Sequence, residues 1–349
     1  MKFNKEQIID VLSKVVLPNE TSNIIQSGSL KNLQIFDKDI ELDIEISNPT
    51  LQYKKKVEVA CLKAIHEHVY EKSTVKINFI IKNDIKKNKI RGKDIPNVKN
   101  IIAVSSGKGG VGKSTIAANI AVGLSELGAK VGVLDADIYG PSMPIMFDLE
   151  GVKPTGIDVD GTTKMKPIEN YGIKLISIGF FAQSQQAVVW RGPMASKALN
   201  QLIWDAHWGK LDYLIIDLPP GTGDAQITLA QNAKLNGSII ISTPQEIALI
   251  DARKSLNMFK KVGVPITGMV ENMSYFICNN CNEKHSIFSS ESVKNEANEF
   301  KTNFLGDLPI DISIRKYADE GMPICIAEPD SNITSLYLNI AKKIVDEVK

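Results

Sequence analysis

The chain has 349 residues, enough for one large or two modest domains, and 43% of them are hydrophobic, enough for a sizeable core. Its 41 basic and 40 acidic residues leave a net charge of +1, which gives no global reason to expect nucleic acid or an anionic membrane as partner. No apolar run approaches a membrane span, the N-terminus opens as an amphipathic helix and not as a secretory signal, and the four cysteines do not read as a disulfide framework, so the chain is expected to be cytoplasmic.

Residues 5–16 carry Ile8, Ile9, Leu12, Val15 and Val16 at helical spacing. Leu30, Leu33 and Ile35 make a strand that runs into an Asp37-Lys38-Asp39 turn. Ile40, Leu42, Ile44 and Ile46 then alternate with polar residues, the pattern of a half-buried strand. Asn48-Pro49 breaks the chain, a helix from about Leu51 to Tyr70 buries Val57, Cys61, Leu62, Ile65 and Val69, and Val75, Ile77, Phe79 and Ile81 form a last strand. The order α-β-β-α-β predicts a small α+β domain over residues 1–82. Cys61 falls on the helix's apolar face and reads as core. His66 and His68 lie two apart, share no helix face, and read as solvated or capping residues. A polar, basic stretch with Pro and Gly, residues 83–98, reads as a linker.

The ordered centre of the chain is Ile101–Thr115. Four apolar residues make a buried strand, a glycine-rich turn follows, and Ile116, Ala117, Ile120, Ala121 and Leu124 continue as a helix. From Gly107 to Ser114 the turn matches G-x-x-x-x-G-K-[ST]. Gly107, Gly109, Gly110 and Gly112, with Val111 among them, let backbone N–H groups converge on an anion, and the helix adds its positive dipole end. Lys113 is expected to reach the β- and γ-phosphates of ATP, Ser114 to ligate Mg²⁺, and Thr115 to touch the α-phosphate. Residues 99–349 are accordingly predicted to form an α/β domain, a mostly parallel, doubly wound phosphate-loop NTPase sheet.

Further anchors follow in order. Val131–Leu134 is a strand that delivers Asp135 and Asp137 to its C-terminal end. Residues 171–179 read as another strand, and Val188–Met194 contains Trp190 and Arg191, the latter one of only four arginines. Tyr213–Ile216 ends in Asp217, a carboxylate at a strand tip able to hold Mg²⁺ through water, followed by Pro219-Pro220-Gly221. Val264–Met273 reads as a core strand ending in Asn272. Cys278 and Cys281 form a C-x-x-C, which by itself fits a redox pair, half a zinc site with His285 as a third ligand, or half an iron–sulfur site. Cys325 sits in an apolar run and reads as structural, and a helix from Ser335 to Val348 closes the chain.

The loop has a second lysine, Lys108, in G-K-G-G-V-G-K-S-T. This "deviant" phosphate loop resembles that of the Mrp/ApbC iron–sulfur carriers, the nitrogenase iron protein and the MinD/ParA ATPases. The stretch E-N-M-S-Y-F-x-C-x-x-C, Glu271 to Cys281, is similar to the signature of the Mrp/ApbC carriers. The resemblance implies a homodimer in which Lys108 reaches the partner's nucleotide as an arginine finger would. It implies that Asp137 orients or deprotonates the attacking water, with Asp135 nearer the Mg²⁺ shell. Gly221 would lie in a switch that senses the γ-phosphate, and Asn272 would hydrogen-bond adenine, with the backbone around Pro309 covering the base. Its cargo would be a labile cluster, [4Fe–4S], bridging Cys278 and Cys281 of two subunits, taken from scaffold proteins and delivered to apo iron–sulfur acceptors. Residues 1–82 resemble the small domain found in front of such carriers, without the cysteine that domain often has after its second strand. A MinD/ParA-like positioning ATPase, a reductase like the nitrogenase iron protein, and a zinc-binding ATPase scaffold are the alternatives. The first predicts an amphipathic tail or basic surface, and the second spaces its cysteines far apart.

Overall fold

The computed structural model describes residues 4–18, 22–36, 39–46, 50–71, 73–81, 92–181, 192–278, 280–289 and 291–348. The turn at Asp37-Lys38, the break at Asn48-Pro49, linker residues 83–91 and the Trp190-Arg191 pair lie outside them. The chain divides into two compact units, Met1–Lys87 and Asn88–Lys349.

In the first unit the order is α1 (Lys5–Leu12), β1 (Leu30–Phe36), β2 (Asp39–Ile46), α2 (Leu51–His68) and β3 (Thr74–Ile81). Asn4 starts α1 with a capping box, its Oδ1 accepting from Gln7 N while Gln7 Oε1 accepts from Asn4 N. The helix stops four residues short of its apolar periodicity because the chain tightens into i→i−3 bonds at Lys14 and Val15, after which Val16 bridges to Asn23. β2 lies between antiparallel β1 and parallel β3. Its alternating Ile40, Leu42, Ile44 and Ile46 join Ile8, Leu12, Val57, Cys61 and Ile65 in one core. His66 Nε2 meets Ser73 O at 2.9 Å, a local tie at the end of α2.

The second unit begins with β4 (Val98–Ser106), α3 (Lys113–Glu126), β5 (Val131–Asp135) and the short α4 (Met143–Met146). Three strands, β6 (Thr155–Val159), β7 (Thr162–Lys166) and β8 (Ile168–Asn170), precede β9 (Ile173–Ser177). Next come α5 (Gly192–Trp204), β10 (Leu211–Asp217), α6 (Asp224–Asn232), β11 (Gly237–Ser242), α7 (Glu246–Val262) and β12 (Ile266–Glu271). A hairpin of β13 (Phe276–Ile277) and β14 (Lys284–His285) follows, then α8 (Ser292–Glu299) and β15 (Phe304–Asp307). The chain closes with α9 (Ile312–Asp319), α10 (Ile324–Ala327) and α11 (Asn332–Glu347).

Eight strands form one sheet in the order β15-β12-β11-β4-β10-β5-β9-β8, parallel throughout except for the edge pair β8–β9. Successive residues of β4 face opposite layers. Ile102 and Val104 pack under α3, α10 and α11, while Ile101 and Ala103 pack with residues of α5, α6, α7 and α8. This is the doubly wound α/β architecture, and it aligns the carboxyl ends of β4, β10 and β5 side by side. Asp217 is in register with Val104 on one side and with Asp135 on the other. The β6–β7 hairpin turns through Asp160 (φ 53°) and Gly161 (φ 77°), an Asp-Gly loop whose strands are too polar to show in an apolar pattern.

Candidate functional site

The turn from β4 into α3 is shaped by close backbone approaches. A Cβ on Gly107 would lie 2.1 Å from the carbonyl carbon of Asp251, so α7 packs directly on the loop's first residue. Gly112 sits at φ +81° as the N-cap of α3, and a Cβ there would fall 2.3 Å from Asn272 Nδ2. Val111 is buried, and its carbonyl accepts from Asn272 Nδ2 at 2.8 Å. Ser106 Oγ donates to Lys108 O at 2.9 Å, and Gly221 N donates to Ser106 O at 2.8 Å. Between these anchors the exposed N–H groups of Gly109 and Gly110 have no acceptor among the described residues, as an anion cradle requires. Thr115 lies in the first turn of α3, and its carbonyl accepts from Asn119 Nδ2, whose Oδ1 accepts from Cys325 N.

Lys113 is 6% exposed and donates to Asp217 Oδ1 at 2.5 Å and to Ser114 Oγ at 3.2 Å. Its ammonium is also 3.5 Å from Asp137 Oδ2. Asp217 is completely buried, and its Oδ2 has no hydrogen-bond partner. Burial raises its pKa, and the Lys113 charge and hydrogen bond oppose the rise. An orphaned carboxylate oxygen beside the Ser114 hydroxyl fits a hydrated Mg²⁺, because a metal-bound water would supply the missing donor.

Asp135 stands differently. Its Oδ2 accepts from Ser177 Oγ (2.9 Å) and Met143 N (3.1 Å), and its Oδ1 from Asp137 N (3.2 Å). Burial, and then the neighbouring Asp217 charge, push its pKa up to about 7. With both oxygens taken by protein donors, Asp135 braces the turn that presents Asp137. The Oδ1 of Asp137 accepts from Tyr139 N and Gly140 N, each at 3.3 Å, leaving Oδ2 toward Lys113.

Lys108 is half-buried and makes no ion pair among the described residues. Gly221 has φ +95°, and its carbonyl and that of Pro219 both accept from Gln226 Nε2, at 3.0 and 2.7 Å. Gln226 is buried, and nothing in its local pattern marked it. Asn272 is nearly buried beside the loop. Pro309 is buried in the segment after β15, where Leu308 N donates to Glu271 O and Ser274 N donates to Leu308 O. Glu271, which opens the Glu271–Cys281 stretch and had no role assigned from sequence, is buried and holds this junction through Ser274 Oγ and Val293 N.

The C-x-x-C lies in the loop of the β13–β14 hairpin, where Phe276 pairs with His285 and Ile277 with Lys284. Cys278 N donates to Glu283 O and Asn282 N to Cys278 O, closing the loop, and Ile310 N donates to Tyr275 O. Cys278 is half-buried and Cys281 exposed. Backbone N–H groups of Cys281 and Asn280, then the Cys281 side chain, donate to the Cys278 sulfur and lower its pKa. Cys61 and Cys325 are buried in cores, which pushes both thiols up to about 12. Among the described residues no helix is long and apolar enough to cross a membrane.

Comparison with known proteins places this geometry. The model of the NUBPL iron-transfer P-loop NTPases matches residues 97–345, and that of the iron–sulfur cluster assembly proteins matches residues 5–77. An iron–sulfur cluster carrier protein of Synechocystis is 37% identical over 345 residues, 98% of this chain and 97% of that protein. One of Aquifex aeolicus is 50% identical over 258 residues, 74% of this chain and 70% of that protein. Among solved structures, a nucleotide-binding protein of Archaeoglobus fulgidus in complex with ADP is 37% identical with a TM-score of 0.60, covering 70% of this chain and 93% of that one. The phosphate loop, the Lys113–Asp217 pair at the strand ends and the family match over residues 97–345 agree, and the chain belongs to the family of NUBPL iron-transfer P-loop NTPases.

Proposed function

We propose that this protein is an ATP-hydrolysing carrier that binds a labile iron–sulfur cluster between two copies of itself and passes it to apo-proteins. The observation that carries the reading is that one unit holds both a nucleotide-type site, with Lys113 and Asp217 buried together, and a pair of thiols on a hairpin, one half-buried and one exposed. A cluster takes four thiolates and each chain offers two accessible ones, because Cys61 and Cys325 are enclosed. Two subunits therefore complete a [4Fe–4S] cargo through Cys278 and Cys281. A positioning ATPase would account for the loop but leaves the thiols without a role.

In this reading the backbone of Gly107–Gly112 and Lys113 hold the phosphates, Asn272 and the Pro309 backbone hold the base, and Thr115 contacts the α-phosphate. Ser114 and the free oxygen of Asp217 hold hydrated Mg²⁺, whose chemistry is to neutralise phosphate charge. Asp137 positions water near Lys113. Lys108, without an ion-pair partner among the described residues, supplies its charge across the dimer. Gly221, tied to Ser106 and Gln226, responds to the γ-phosphate, so nucleotide state is linked to the dimer that holds the cargo. Residues 1–82 form the assembly-type module and contribute no cluster ligand, since Cys61, the one cysteine there, is buried.

The test is anaerobic reconstitution with iron and sulfide followed by transfer to an apo-ferredoxin, comparing wild type with Cys278→Ala and Cys281→Ala. Cluster loading is expected in wild type at one per two chains and lost in both variants. Normal loading and transfer by the variants would sink the proposal.

A further inference from the structure

The hairpin that bears the two thiols carries other metal donors. Cys281 Sγ, a carboxylate oxygen of Glu283 and an imidazole nitrogen of His285 all lie within 4.8 Å of one another. His285 Nε2 and Glu283 Oε2 are 4.0 Å apart. Among the described residues this is the one cluster of three or more His, Cys, Asp or Glu side chains so gathered. The geometry has a simple cause. Glu283 immediately precedes β14, which His285 ends, and their side chains fall on one side of the hairpin. The left-handed Asn282 (φ 58°), fixed by its N–H to Cys278 O, turns Cys281 toward that same face. All three side chains are open to solvent, so an ion reaches them without passing through the protein.

The donor set selects its ligand. A thiolate with an imidazole and a carboxylate suits a borderline divalent ion such as Zn²⁺, Fe²⁺ or Co²⁺, and not Mg²⁺ or Ca²⁺, which take oxygens. Three protein ligands leave a fourth tetrahedral position for water. Every one of these donors belongs to one chain, whereas a shared cluster draws its thiols from two.

We propose that the hairpin also binds a single thiophilic divalent cation within one subunit, through Cys281, Glu283 and His285 with water in the fourth position. The ion and the shared cluster compete for Cys281, so the mononuclear form belongs to the separated subunit. His285 and Glu283 then supply the coordination that the partner's thiols would supply in the dimer. Binding is plain coordination, with the thiol proton released to solvent. The proposal rests on the carrier reading only for this competition, and the ion site itself stands on the hairpin's own donors.

The experiment titrates the reduced, metal-free full-length chain anaerobically with Co²⁺ alone, in the absence of iron and sulfide. One cobalt per chain is expected, with tetrahedral d–d bands and a sulfur-to-cobalt charge-transfer band. His285→Ala is expected to weaken cobalt binding by at least about tenfold, the scale on which losing even an outer-shell partner acts, and Glu283→Gln by less. ADP affinity at the phosphate loop reports that each variant is folded. Equal cobalt affinity in His285→Ala and wild type overturns the proposal. One ion per two chains, bound through the thiols alone, also overturns it, as does the absence of the cobalt bands. Failure of the carrier reading would appear separately, as wild-type protein that takes no cluster from iron and sulfide while still binding cobalt.

Discussion

Lys113 Nζ donates to Asp217 Oδ1 at 2.5 Å, joining the first turn of α3 to the tip of β10 across 104 residues of sequence, with both side chains buried. Lys113→Ala would leave the Asp217 carboxylate buried without its countercharge. Losing one partner of a buried pair costs about 3–5 kcal/mol. Urea unfolding is expected to show a loss of that order, with ADP binding abolished. The double variant Lys113→Ala/Asp217→Asn is expected to regain much of the stability and none of the binding. No regain would show that the ion pair is not the cause.

Lys108 is half-buried on the loop and unpaired among the described residues. Lys108→Ala is expected to keep ADP affinity within a few-fold while ATP turnover falls on the order of 10³-fold, the scale of an arginine finger. Steady-state phosphate release and equilibrium ADP titration separate the two effects. Unchanged turnover would remove Lys108 from the reaction.

Gly112→Ala places a methyl 2.3 Å from Asn272 Nδ2 at a backbone φ of +81°. The strained conformation costs about 1–3 kcal/mol, and relieving the clash moves Asn272 off Val111 O. A lower thermal midpoint together with weakened adenine-nucleotide binding is expected. Asn272→Ala, tested alone, is expected to weaken ADP more than inorganic pyrophosphate.

Thiol reactivity should divide the cysteines two and two. At neutral pH in the native protein, iodoacetamide is expected to modify Cys278, whose sulfur is stabilised as the thiolate by N–H donors, and the exposed Cys281. Cys61 and Cys325, pushed up to about 12 by burial, are expected to react only after unfolding. Mass mapping of native and denatured samples checks the order.

The Asp135 carboxyl rises from an ordinary 3.8 to about 7 in the folded chain, through burial and then the Asp217 charge. The folded state therefore holds this proton more tightly than the unfolded state. The stability it contributes is full below the unfolded value and is lost as pH rises through about 7. In nucleotide-free, Mg²⁺-free buffer, wild type is expected to lose stability between about pH 4 and pH 8 relative to Asp135→Asn. Parallel pH profiles for the two proteins would contradict the assignment.

Much of the fold was legible in the residues because its signals are local. The apolar run before Gly107, the alternation in β2 and the carboxylate ending β10 each lie within one element. Strands were missed where they are very short, as in β15, or lack an apolar face. The β6–β7 hairpin is polar and half-exposed, and its visible sign was the Asp160-Gly161 turn. The structural roles of Gln226 and Glu271 were not legible for a different reason, since each is a buried polar side chain whose partners come from turns and from another element. Asn272 was expected at the base, and in the structure its amide donates to Val111 O, closing the phosphate loop.

The sequence by itself determined the phosphate loop, the order of the strands that deliver Asp135, Asp137 and Asp217, and the two thiols on one short segment. Contiguous backbone suffices to make a loop, a strand tip or a C-x-x-C. Only the tertiary structure decided which carboxylate keeps a free oxygen. Ser177 and Met143 satisfy Asp135, while Lys113 takes one oxygen of Asp217 and leaves the other open. Burial decides the same question for the cysteines, enclosing Cys61 and Cys325 while the hairpin turns Cys281 outward beside Glu283 and His285. These outcomes depend on donors and packing brought from distant parts of the chain, and a charge in a closed core is set by its neighbours in space.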